Sequence, residues 1–80
     1  MSHTPHELAE EFPDAAEKLH ALKMENAHFR KLAEEYHDVN RAIHRAETLV
    51  EPMSDDHEAE LRRKRLHLKD EIARLLRESA

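Results

Sequence analysis

The sequence predicts an all-α protein, an antiparallel two-helix coiled-coil hairpin with a short N-terminal helical segment, forming a single domain over residues 1–80 and self-associating. Three observations predict it. The chain has no glycine and only three prolines, Pro5, Pro13 and Pro52, whereas β-hairpin turns and phosphate-cradling loops draw on glycine for positive φ. Leu22, Phe29, Tyr36, Ile43 and Val50 recur every seventh residue, the repeat of a coiled-coil seam. A second apolar stripe follows the interruption around Pro52. Charged residues make up 39% of the chain, a level common in long helices. Leu, Ile, Val and Phe together number only 16 of 80, close to the range of unfolded chains, so periodicity rather than hydrophobic content carries the prediction.

The elements follow in order. Thr4-Pro5-His6-Glu7 reads as a helix start, with Thr at the N-cap, Pro at the first helical position and Glu closing a capping box. It opens a short segment over about 4–12 that sets Leu8 and Phe12 four apart. Pro13 disfavours helical geometry at Phe12 and ends the segment there. From about 14 to 50 no Pro or Gly interrupts the heptads, and Leu32, Val39 and Ala46 fill the intermediate positions, which predicts one long helix. Residues 51–54 form the loop, where Pro52 stops the first helix and Ser54 or Asp55 caps a second over about 55–78. So short a connection predicts antiparallel neighbours.

A single register then pairs Ile43 with Leu61, Val39 with Arg65, Tyr36 with Leu68, Leu32 with Ile72 and Phe29 with Leu75. These residues are the expected core of the hairpin. Arg65 needs a polar partner, Asn40 or Glu47, or a route to solvent for its guanidinium. The same register leaves Leu8, Phe12, Ala15, Leu19 and Leu22 without a facing helix, and Leu66, Ala73 and Leu76 form a second apolar row. Two arrangements cover them: the segment 4–12 folds back within one chain, or copies of the chain associate. A two-helix hairpin has little core of its own, so association is expected, with a dimer favoured. Its candidate surface is Leu8, Phe12, Leu19, Leu22, Leu66, Ala73 and Leu76.

Glu-x-x-His, the ligand spacing of di-iron carboxylate bundles, occurs at Glu34/His37, Glu17/His20 and Glu25/His28. At 100° per residue the three pairs point in three directions, so no converging metal site is expected; His3/His6 and His37/His44 are the places for adventitious zinc or nickel. The basic run Arg62 to Arg65, with His67 and Lys69, lies in an acidic chain of net charge −5 and carries no interleaved aromatics. A solvated face neutralised by Glu34, Glu35, Asp38 and Glu47 is expected there rather than a nucleic-acid site. No Ser/His/Asp arrangement accompanies Ser2, Ser54 or Ser79, and a thin hairpin lacks a water-excluding pocket, so no enzyme, no catalytic residue, no cofactor and no small-molecule substrate is expected. Without cysteine there is neither a disulfide nor a thiolate metal site. Absence of a signal peptide or a long apolar run argues for the cytoplasm and against membrane insertion. The eight histidines, if all protonated, would reverse the sign of the net charge.

Three stretches, "FPD" at 12–14, "LKMENAHFRKLAEEYHDVNRAIHRAE" at 22–47 and "LRRKRLHLKDEIARLL" at 61–76, resemble the YdcH-like family of small bacterial proteins, a domain of unknown function. The resemblance spans most of residues 12–76 and is most specific at "RLHLKDEI" with its upstream Phe-x-x-Leu-x-x-x-Tyr. It implies an α-helical hairpin in the bacterial cytoplasm and no known catalytic residues. The expected function is therefore a non-enzymatic coiled-coil module for protein–protein interaction and oligomerisation, with an unidentified protein partner. The alternative is a histidine-rich metal-binding or pH-responsive regulator.

Overall fold

The computed structural model describes residues 6–48 and 53–78. All regular structure among them is helical: α1 (Leu8–Glu11), a 3₁₀ turn (Pro13–Ala15), α2 (Ala16–Glu25), α3 (Ala27–Glu47) and α4 (Asp55–Glu78). The expected cap residues Thr4 and Pro5, the heptad residue Val50 and loop residues 51 and 52 lie outside the described residues.

The N-terminal segment begins later than the capping box predicts. Glu7, expected inside the first turn, is instead the extended N-cap of α1 at φ −65°, ψ 155°. His6 before it sits in the left-handed region at φ 64°, which an ordinary helix interior does not allow. Its backbone N–H donates to Glu10 Oε2 at 3.0 Å and its carbonyl accepts from the Tyr36 hydroxyl at 2.6 Å. A contact thirty positions away thus competes with the local cap. Pro13 breaks the path as its ring requires: Phe12 leaves helical geometry at φ −129°, ψ 65°, and Pro13 opens the 3₁₀ turn.

The long first helix is the second correction. It is broken at Asn26, which is extended at φ −125°, ψ 108° and serves as C-cap of α2 and N-cap of α3 together. Asn26 N–H donates to the Leu22 carbonyl at 2.8 Å, and its side-chain oxygen accepts from Phe29 N–H at 3.1 Å. Asparagine competes in this way with the helical ladder and is among the strongest N-caps. The break turns α2 back toward the body, so that Leu19 is buried instead of trailing beyond the end of α4. Downstream, α3 ends at Glu47, where the Thr48 hydroxyl donates to the His44 and Arg45 carbonyls. At the start of α4 the Ser54 hydroxyl accepts from His57 N–H, and Asp55, Asp56 and Glu58 occupy the first turn, where the helix dipole favours negative charge.

One core results. Leu8 and Leu19 from the N-terminal part meet Phe29, Ala33, Tyr36, Val39 and Ile43 of α3 and Leu68, Ile72 and Leu76 of α4, while Phe12, Ala15, Leu22, Leu32, Leu61 and Leu75 pack against them half-buried. Three residues of the expected association surface, Leu8, Leu19 and Leu76, are therefore covered within a single chain. The physical reason is the Asn26 break, which lets residues 6–25, hereafter the N-terminal arm, close over the open end of α3 and α4. Burying a leucine side chain stabilises by about 2 kcal/mol, so the arm supplies a sizeable share of a small core.

Candidate functional site

The arm is seated by polar contacts as well as leucines. Lys69 Nζ of α4 lies 3.4 Å from Glu11 Oε1 and 6.0 Å from the centre of the Phe12 ring, within cation–π range. His6 Nδ1 lies 3.2 Å from the same carboxylate oxygen of Glu11, and His37 Nδ1 of α3 lies 3.2 Å from Glu7 Oε2. Further along, Lys18 Nζ donates to the Leu76 carbonyl at 3.1 Å, in the last turn of α4, where a cation meets the negative end of the helix dipole. Burial raises the Glu11 carboxyl, but the hydrogen bonds and charges of His6 and Lys69 together outweigh it and hold the group below the usual 4.5. Tyr36 behaves oppositely: burial first, then the negative charge of Glu11, pushes its phenol up to about 12.

Between α3 and α4 the half-buried Arg65 finds its polar partner in Asn40. Arg65 Nη1 donates to Asn40 Oδ1 at 2.9 Å, and Asn40 is fully buried. Glu47, the other expected partner, accepts instead from Arg62, which also bonds Glu58, both at 3.1 Å. Arg62, Arg65 and Lys69, half of the basic cluster of α4, are thereby engaged with α3 and the arm.

Two of the open cavities beside the arm bear on its seat. The larger, about 360 Å³, is lined by Phe12, Asp14, Ala15, Lys18, Ala73, Leu76 and Arg77. The smaller, about 190 Å³, has Leu66 on its rim beside His6, Glu11, Tyr36, Arg62, Arg65 and Lys69. Leu66 is 59% exposed, and Met24 on α2 is 71% exposed. Of the seven expected surface residues, then, Leu66 alone stands out into solvent, Phe12, Leu22 and Ala73 are half-buried, and Leu8, Leu19 and Leu76 are inside. Within the expected hairpin core, Phe29, Tyr36, Val39, Ile43, Leu68 and Ile72 are buried, whereas Leu32, Leu61 and Leu75 are half-buried and Arg65 is bonded to Asn40.

The Glu-x-x-His pairs stay on the outside: Glu17, His20, Glu25, His28, Glu34 and His37 are all exposed. No group of three or more His, Asp or Glu among the described residues is arranged to hold a metal ion, and no helix among them is long and apolar enough to cross a membrane. Sequence reasoning missed Asn26, although its preference for N-caps was available as a signal. It also missed the seating contacts of Glu7, Glu11, Lys18 and Lys69, for which no local pattern exists.

The described residues form an all-helical fold whose helices pack on one shared core. Residues 29–76 match the family described as "Protein of unknown function (DUF465)", and the chain belongs to that family, as do the YdcH-like small bacterial proteins. The matched span begins in the first turn of α3 and ends in the last turns of α4, so the arm lies outside it. No curated protein and no solved structure matches the chain.

Proposed function

We propose that this chain is a non-enzymatic helical interaction module of the cytoplasm, in which α3 and α4 form an antiparallel coiled-coil hairpin and two copies associate. Support for the hairpin comes from the side-chain pairs: from Arg62 to Arg65 on α4, the partners on α3 step backward from Glu47 to Asn40. The observation that carries the interaction reading is Leu66. A leucine 59% exposed, on the rim of an open cavity, offers apolar area that a second helix would bury. Arg62 and Lys69 beside it give that surface a charged border, as interface rims have.

Light scattering over a concentration series tests the reading. A dimer is expected at high micromolar concentration, and Leu66→Asp should weaken it at least tenfold, the loss of about 1.4 kcal/mol of association free energy. Because Leu66 is exposed in the single chain, helix content and thermal midpoint should hardly change. A strictly monomeric wild-type protein would sink the proposal.

A pH-responsive regulator is the second reading, favoured by the two histidine–carboxylate contacts, His6 with Glu11 and His37 with Glu7, that join the arm to itself and to α3. It predicts a change of oligomer mass between roughly pH 7.5 and 5.5, where histidines ordinarily titrate. Constant mass across that range removes it.

A further inference from the structure

We infer that the N-terminal arm exchanges between two copies of the chain, pivoting at Asn26, so that each arm closes the body of the other. The inference rests on the self-association proposed above and adds a second link between the two copies, beside the contact at Leu66. Asn26 is the only non-helical residue between α2 and α3. Neither Pro nor Gly occurs from Asp14 to Val50, so nothing covalent prevents Asn26 from becoming helical and joining α2 to α3. Leu22 and Phe29 share one heptad position, so the straightened helix keeps a continuous stripe through the hinge.

Straightening withdraws Leu8 and Leu19 from the core and uncovers Leu76. It also parts Lys18 from the Leu76 carbonyl, Glu11 from Lys69 and the His6 carbonyl from Tyr36. Every one of these partners belongs to α3 or α4, and a second copy presents the same set. Exchange therefore restores each lost contact between chains and needs no new complementary surface, which makes it a low-cost route to a dimer. The seat selects the arm over an unrelated helix because it demands the same leucine spacing, an acid opposite Lys69 and a cation at the end of α4. His6, held in the left-handed region, gains from neither state over the other, since its contacts are reproduced whole.

The Glu11–Lys69 ion pair permits a test on the unmodified protein. Isotope-labelled and unlabelled chains are mixed in denaturant, refolded together, and the dimer fraction is treated with a carbodiimide, which joins carboxylate to amine in direct contact. Peptides linking Glu11 to Lys69 are then weighed. Exchange predicts links of mixed label in the proportion random pairing gives. A dimer whose Glu11–Lys69 links are all like-labelled overturns exchange and leaves side-by-side association standing. No dimer fraction at any concentration overturns both. As a second measurement, Asn26→Ala removes the cap that holds the hinge bent, and tighter dimerisation by about fivefold per hinge is expected. An unchanged or weaker dimer with intact helix content counts against the hinge.

Discussion

Tyr36 shows how one side chain joins two distant parts of the sequence. Its ring is buried in α3 while its hydroxyl donates to the His6 carbonyl. Tyr36→Phe should cost about 1 kcal/mol, the usual net worth of such a bond, read as a lower urea midpoint. The phenol also titrates late, pushed from 10.0 up to about 12 by burial and by the Glu11 charge. In the unfolded chain it ionises first, so its contribution is intact below pH 10 and stability falls as pH rises from 10 to about 12. As the chain's single tyrosine, it can be followed alone by ultraviolet absorbance. An absorbance midpoint near 10 would contradict this placement. Glu11 has the opposite sign. Its folded value is held below 4.5, so its contribution is present above that value and lost as pH falls through the folded one. Glu11→Gln should therefore be less stable than wild type at neutral pH, with the difference closing in acid, as paired urea titrations would show.

At the level of elements, the arm and the α3/α4 body differ in what holds them. The body carries the buried Phe29, Tyr36, Ile43 and Ile72, whereas the arm contributes Leu8 and Leu19 and a set of part-exposed polar contacts. Local opening should follow that difference, with α2 amides exchanging hydrogen faster than the central amides of α3. Leu19→Ala should destabilise by about 3 kcal/mol, within the usual range for emptying a buried leucine site, and should accelerate exchange in α2 most. Uniform acceleration through α3 and α4 would mean that arm and body open as one unit. The helical class was legible in the heptad residues and the Ser54 cap in local chemistry. The first helix, expected to run to about 50, instead ends at Glu47, with the Thr48 hydroxyl bonded back to His44 and Arg45. The break at Asn26 left one local signal, asparagine's preference for N-caps, but the heptad continues through it and the gain from folding α2 back decides between bent and straight. The same limit hid the seat of the arm: Glu11–Lys69 and Lys18–Leu76 are contacts of tertiary origin that leave no periodic trace. Leu66, by contrast, was legible as part of a second stripe, and it is the member that remains exposed.

For the molecule as a whole, a radius of gyration of 13.3 Å describes a body 40 Å long and 19 Å thin. A shape so slender keeps few residues out of water, which is why two leucines from an arm matter to it. The Lys18–Leu76 bond carries a consequence for the order in which the chain is made. Its two ends are 58 positions apart, so the arm is translated well before its seat on α4. At ordinary synthesis rates the arm waits about three seconds or longer on the ribosome before that seat emerges. During that interval the surface the arm will occupy does not yet exist on its own chain, but it does exist on any finished sibling nearby. The abundance of completed copies at the site of translation, and not only the final concentration, then sets how often the first partner an arm meets is another molecule.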